Sequence, residues 1–397
     1  MAKEPIGNRV QHRPGEVLLQ AGLAKDAIPF LLKDLKAEPT EWKHPLNLAI
    51  AYKLVGQYEE AYPLLAKAMK MAPKAWPVYH ALANLCDEDG KFDLAFISRQ
   101  EAYKLCDGKS EDAALGMSVA LLRRGQWKEA WRLWDDGRFM RSWSPIPGSQ
   151  IAKMKELDGK RVFVLSEGGY GDVFMYCRWM PMLKERSGSV TLGAWPRQID
   201  LLKCSSQLEG ITIMPISDDI KPKDYDLTSS LMSLPSLLDA TPETVPPPMT
   251  FDVEPLLPPR NGHRRLGICW KAEESIASRP LRSIPAQRME VFSTIDAEWY
   301  SLVLNQKLPW MQPSPDNWLD TARLVKSLDG VVTVDTAVTH LSGSLGKPTT
   351  LLLPVCAEWK WMDDSTAKPW YEDMKLCRAK KHDDWTAAIE EAVRLYE

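Results

Sequence analysis

A glycine recurs at positions 22, 56, 90 and 125, so the first 140 residues are periodic at 34 to 35 residues. An alanine follows each glycine by five positions, at Ala27, Ala61, Ala95 and Ala130. Pro39 and Pro73 close the first two units at the same spacing, and an aromatic residue stands between glycine and alanine at Tyr58, Phe92 and Trp127. Such a unit predicts a helical hairpin: glycine makes the turn, alanine lets the two helices approach, and proline ends the second helix. A fixed period of this size implies a stacked array, because no single hairpin buries its apolar face alone.

In Leu48, Tyr52, Gly56, Tyr58, Ala61, Ala68 and Pro73 the unit resembles the tetratricopeptide repeat. The resemblance implies an all-α superhelix over residues 1–140 whose first and last units act as caps. Such arrays present a concave groove, which either recruits a peptide or another partner or braces a neighbouring domain.

The helical period stops at RSWSPIPGSQ, residues 141–150. Strand and helix patterns alternate from there on, which predicts parallel α/β architecture. The strand Arg161–Leu165 is followed by Ser166-Glu-Gly-Gly-Tyr-Gly-Asp172 and an amphipathic run over 173–185. A proline-dense stretch over 240–259 reads as a linker, so one α/β domain is expected at 151–255 and a second at 260–397. Two open α/β domains leave a cleft at the carboxyl ends of their strands, where ligands of such folds bind.

A length of 397 residues suits two or three domains, and 45% hydrophobic with 26% charged residues fits a soluble globular chain. A net charge of −3 gives no global attraction for nucleic acid, which would need a local patch. Seven scattered cysteines without a C-x-x-C pair read as reduced thiols. No apolar stretch is long enough to cross a bilayer, and the first residues lack a signal-peptide core, so a cytoplasmic location is expected. Many of the sixteen tryptophans lie between Trp299 and Trp385 and are read as packing.

Three segments carry chemistry. In Val331-Val-Thr-Val-Asp335-Thr336-Ala337-Val-Thr-His340 an apolar strand ends at Asp335 and a helix begins after Thr336, with Gly346 and Pro348 closing it. The first amides of that helix would face the cleft as an anion seat, although Asp-Thr serves equally as a plain N-cap. Gly168-Gly-Tyr-Gly171-Asp172 puts a carboxylate after a glycine-rich strand end, as helix cap or as general base. Lys271, Arg279, Arg282 and Ser283 lie in a loop that is either solvated surface or a cationic wall for a leaving diphosphate. Asp224-Tyr-Asp226 matches a three-residue metal pattern that is frequent by chance and is discounted.

The run 331–348 resembles the D-T-[AG]-x-x-H-L segment of heptosyltransferase-like glycosyltransferases, especially the bacterial group in which that domain follows tetratricopeptide repeats. The resemblance extends to Leu319–Asp329, Arg282-Ser283-Ile284-Pro285, Trp359-Lys-Trp361 and Pro369-Trp-Tyr371. It implies a GT-B fold of two Rossmann-like domains facing a cleft, with the donor nucleotide on the C-terminal one. It implies Asp172 as catalytic base in a Gly168, Gly169, Gly171 turn, Thr336 and Ala337 on the donor phosphates, and Asp335 on the sugar or ordering the turn. His340 would touch phosphate or pack, packing being preferred. Arg282 and Ser283 match the donor side; Lys271 and Arg279 are placed there by proximity. The expected function is metal-independent inverting transfer from a nucleotide-sugar, with no cofactor. The acceptor would be a protein or glycan brought by the repeats, a modified nucleic acid being less favoured. The alternative is a non-catalytic repeat scaffold carrying a degenerate transferase domain.

Overall fold

The computed structural model describes residues 13–139, 157–216, 224–259, 262–273, 282–361 and 370–397. They form two compact units, and the chain passes from the first to the second between Gly108 and Lys109.

The first unit is helical: α1 (Pro14–Gln20), α2 (Ala24–Ala37), α3 (Lys43–Leu54), α4 (Tyr58–Met71), α5 (Trp76–Glu88) and α6 (Phe92–Leu105). The repeat glycines adopt φ of 78°, 82°, 75° and 74° at Gly22, Gly56, Gly90 and Gly125, left-handed values that side chains resist. At each of them the next residue's amide reaches back across the turn, from Leu23 to Leu18, Gln57 to Tyr52, Lys91 to Cys86 and Gln126 to Leu121. These bonds satisfy carbonyls that a helix end leaves orphaned. Ala27, Ala61 and Ala95 are at most 1% exposed, which fits their role as the close-approach points of each hairpin. Leu46, Leu65, Val78 and Leu85 fill the space between neighbouring hairpins.

The second unit opens with the fourth hairpin, α7 (Glu111–Arg123) and α8 (Trp127–Phe139). A four-stranded parallel sheet follows, built from β1 (Arg161–Leu165), β2 (Ser189–Ala194), β3 (Thr212–Pro215) and β4 (Leu227–Ser230) in the order β3-β2-β1-β4. Its helices are short: α9 (Tyr170–Tyr176), α10 (Met180–Lys184), α11 (Ile199–Leu202) and α12 (Leu234–Leu237). The run read as one amphipathic helix is divided into α9, a 3-10 turn at Cys177–Trp179 and α10. Pro181 sits at the start of α10, where its ring and missing N–H forbid continuation from α9.

A second, six-stranded parallel sheet comprises β5 (Arg265–Cys269), β6 (Glu298–Ser301), β7 (Met311–Gln312), β8 (Gly330–Val334), β9 (Thr349–Leu353) and β10 (Met374–Arg378), in the order β10-β9-β8-β5-β6-β7. Helices α13 (Trp318–Ser327), α14 (Ala337–Ser344) and α15 (Thr386–Arg394) connect or close it. The architecture is thus a tetratricopeptide-like helical region followed by two parallel α/β sheets. In each sheet the chain works outward from a central strand and then jumps to its other side. The loops after β1 and β4, and after β5 and β8, therefore diverge and open a crevice at the carboxyl ends.

The proline-rich stretch between the sheets is an ordered strap. Met249, Phe251 and Val253 are buried and alternate with exposed neighbours, while the Asp252 and Leu256 amides donate to Cys204 O and Arg323 O. Asp226 is accounted for structurally: both its oxygens engage Arg161 at the amino end of β1, the end of the sheet away from the crevice. Its carboxyl is held down at about 2 by that guanidinium and the Arg161 amide. Of the seven free cysteines four are buried and three partly so. No described helix is long and apolar enough to cross a membrane.

Helix α8 is fastened to both sheets through tryptophan. Trp131 and Trp134 donate to Ala240 O and Met232 O of the first α/β part, at 2.8 and 3.2 Å. Trp127 stacks on Trp370 of the second at 5.4 Å and meets Trp359 edge-on. Trp127 is 1% exposed, so Trp127→Ala should cost about 3–5 kcal/mol. A lowered urea midpoint for the transition seen by tryptophan near-ultraviolet dichroism would register it; a cost below about 1 kcal/mol would mean that the indole is not a structural pin.

Candidate active site

The loop after β1 turns on Gly168, whose φ is +73°. A Cβ at this position would stand 2.6 Å from Asp172 Oδ2, so glycine is what lets that carboxylate fold back. Asp172 Oδ2 accepts the Gly169 N–H at 2.8 Å and thereby caps the first turn of α9.

Gly171 is constrained by approach. A Cβ there would meet His340 Cδ2 at 2.9 Å and Ala337 Cα at 3.1 Å. The first turn of α9, from the first sheet, thus lies directly on the first turn of α14, from the second. Asp172 and the Asp335–Ala337 turn share one locality because position 171 has no side chain.

On the α14 side, Thr339 Oγ1 accepts the Thr336 N–H at 3.2 Å and donates to Val334 O at 2.9 Å, which locks the strand-to-helix turn. Helix geometry leaves the next amides, Ala337 and Val338, without intrahelical acceptors. Asp335 is 2% exposed, and its Oδ2 has no hydrogen-bond partner. Its Oδ1 lies 3.8 Å from Nζ of Lys360, a residue itself 9% exposed. Burial raises the Asp335 carboxyl above its ordinary range, and the attraction of Lys360 and Arg282 only partly offsets this. Burial pulls the Lys360 ammonium down, but Asp335, Asp172 and Glu358 outweigh it, so the lysine holds its proton more firmly than a free one. Lys360 thus faces Asp335 at 3.8 Å and feels the charges of Asp172, from the other sheet, and of Glu358.

His340 is 1% exposed and stacks on Trp361 with ring centroids 5.5 Å apart. Its Nδ1 is 3.0 Å from the Tyr371 hydroxyl, and its Nε2 has no partner. Burial, with the charges of Lys360, Arg178 and Arg282, drives its pKa well below the usual 6.5, so the ring is neutral. Arg178 is 1% exposed and donates to carbonyls, those of Met175, Pro246 and Trp370. Its guanidinium lies over the Trp370 and Tyr371 rings.

The loop after β5 supplies the remaining groups. Arg282 is half-buried, and its charge reaches Asp335, His340 and Lys360. Ser283 Oγ accepts the Ala272 N–H at 3.0 Å, so this hydroxyl ties the loop back to the end of β5. Lys271 is exposed, and Arg279 lies outside the described residues. Sequence reasoning assigned no role to Lys360, Arg178 or Tyr371. Lys360 and Tyr371 nevertheless lie in two segments of the resemblance, Trp359-Lys-Trp361 and Pro369-Trp-Tyr371.

No family model matches the chain, and no curated protein matches it. Among solved structures it is similar to the iron-containing dodecameric glycosyltransferase TibC from enterotoxigenic E. coli H10407, at 12% identity over 58% of this chain and 67% of that one, with a TM-score of 0.42. Its N-terminal part is similar to MamA of MSR-1, at 22% identity over 33% of this chain and 74% of that one (TM-score 0.27). It is also similar to a thermophilic tetratricopeptide-repeat protein of Thermus thermophilus, at 18% identity over 33% and 72% (TM-score 0.30). The site is therefore read from its own geometry. One expectation is corrected: TibC is described as iron-containing, so likeness to such transferases does not carry metal independence. Among the described residues no group of three or more His, Cys, Asp or Glu is arranged to hold a metal ion.

The neutral His340 has a measurable consequence. Below about pH 6.5 the unfolded chain binds a proton at this histidine that the folded chain refuses, so stability falls as pH drops. Between pH 6.5 and 5.5 the wild type should lose up to about 1 kcal/mol more than His340→Gln in urea unfolding. Equal slopes for the two proteins would show that the ring is not held neutral.

Proposed function

We propose that the chain is a glycosyltransferase that moves a sugar from a nucleotide-activated donor to an acceptor hydroxyl with inversion at the anomeric carbon. The observation that carries this reading is the contact of Gly171 with Ala337, which sets a carboxylate of one α/β domain beside a helix N-terminus of the other. A single displacement needs that pairing. The acceptor oxygen attacks the anomeric carbon as its proton passes to Asp172, and the bond to the leaving phosphate breaks with its electron pair going to the diphosphate. The α14 amides at Ala337 and Val338 and the Arg282 guanidinium suit the charge that develops on that diphosphate.

In this reading Asp335 orders the Thr336 turn from its buried position, and Ser283 acts through the loop that carries Arg282. Lys271 is assigned to the donor side by its place in the same loop, where it is exposed. We assign residues 1–140 to the repeats, 151–255 to the acceptor side and 260–397 to the donor side, with the repeats bringing a protein or glycan acceptor. The α7–α8 hairpin, which touches both sheets, is the element through which recruitment would reach the site.

Asp172→Asn retains an acceptor for the Gly169 amide but removes the base, so it separates capping from catalysis. With the full chain and a donor found by screening nucleotide-sugars, kcat should fall about 10²- to 10⁴-fold while nucleoside-diphosphate affinity stays within about threefold. Undiminished turnover would remove Asp172 from the mechanism. A wild type that binds no nucleoside diphosphate would instead be a repeat scaffold with a degenerate transferase domain.

A further inference from the structure

Lys360 stands out among the groups that the proposed reaction leaves unused. It reaches the site from the 3-10 turn Trp359–Trp361, which follows β9, and is flanked by two buried indoles. A lysine kept only to neutralise Asp335 would close to hydrogen-bonding distance, because an imperfectly paired buried ion forfeits much of its solvation. Here Nζ stays 3.8 Å from Asp335 Oδ1 and makes no hydrogen bond among the described residues; Asp335 Oδ2 makes none within bonding distance either, the Trp361 indole only favouring its charged form from nearby. His340 Nε2 is a second buried polar atom in the same cluster without a hydrogen-bond partner, and Arg178 Nη2 a third. Unsatisfied polar atoms so deeply buried are rare unless something else completes them.

The missing partner has a definite sign. Lys360, Arg282 and Arg178 bring three cations to this cluster, against the buried Asp335, the half-buried Asp172 and Glu358, whose exposed carboxylate is screened by water. Arg178 meets no carboxylate among the described residues, and the amide end of α14 adds further positive potential. A phosphate group, with several acceptor oxygens, is the chemistry that would use an ammonium, a guanidinium and two helix amides at once.

We propose that Lys360 is the phosphate-binding cation of the donor site and that Asp335 is its placeholder counter-ion, from which an incoming diphosphate takes it over. This rests on the transferase reading and deepens it. It makes an unusual demand: Asp335 competes with the ligand for the lysine, so removing its charge strengthens anion binding.

The test is calorimetric titration of the full chain with inorganic pyrophosphate, which carries the diphosphate without sugar or base. Lys360→Met should weaken binding at least about tenfold, and Lys360→Arg should stay within about threefold of wild type. Asp335→Asn should bind as tightly as wild type or more tightly. Adding Lys360→Met to Asp335→Asn should again cost about tenfold, in a background without an abandoned carboxylate should the single lysine variant not fold. Equal affinities with and without the lysine, in either background, would overturn the assignment while leaving the transferase reading standing. So would an Asp335→Asn protein as weak as Lys360→Met. A wild type that binds neither pyrophosphate nor any nucleoside diphosphate would overturn both.

Discussion

The arrangement depends on an absence, the missing side chain at position 171. With a Cβ there, His340 Cδ2 would stand at 2.9 Å and Ala337 Cα at 3.1 Å, so the imidazole would have to shift and the two helix turns to ease apart by a few tenths of an ångström. The strand order of each sheet brings its loops to one edge, but strand order alone does not press one edge against the other. The glycine contact marks where they meet, the strap over 240–259 is hydrogen-bonded to both parts, and the tryptophans of α8 hold both.

The electrostatics of the junction run against stability. A folded chain usually neutralises or hydrates its buried charges, yet here Asp335 and Arg178 each bury an atom without a partner, and Lys360 stays 3.8 Å from its counter-ion. Such under-satisfied polar groups are costly, and chains retain them where a ligand supplies the missing contacts. The surrounding core is stiff enough to hold them: Trp361, Trp370 and Trp179 are all at most 1% exposed and pack around the Arg178–Tyr371–His340 group.

What could be read from the sequence was what local physics fixes. The glycine and alanine spacing declared the hairpins, because a left-handed turn and a close helix contact each permit few residue types. The Asp335-Thr336 turn could be read because a strand, a cap and a helix stop followed in order. Glu111–Phe139 is different: it carries the repeat pattern, but its tryptophans find their partners near residues 240 and 370, a pairing that no local spacing reveals. Strand β4 was hidden because Leu-Thr-Ser-Ser is short and weakly apolar, and only its place beside β1 makes it a strand. Lys360 was passed over because lysine is ordinarily solvated, and its burial is a tertiary fact. The break at Pro181 needed no tertiary information and was a misreading of period. The resemblance did carry an expectation of metal independence that did not stand.

The central claim is that the first turns of α9 and α14 form a single nucleotide-diphosphate site. Hydrogen exchange by mass spectrometry on the full chain, with and without saturating amounts of each of several nucleoside diphosphates, tests it most directly. At least one nucleotide should slow exchange at residues 166–173 and 335–341 together, one segment from each sheet. Protection confined to one segment, or absent from both with every nucleotide, would contradict the shared site.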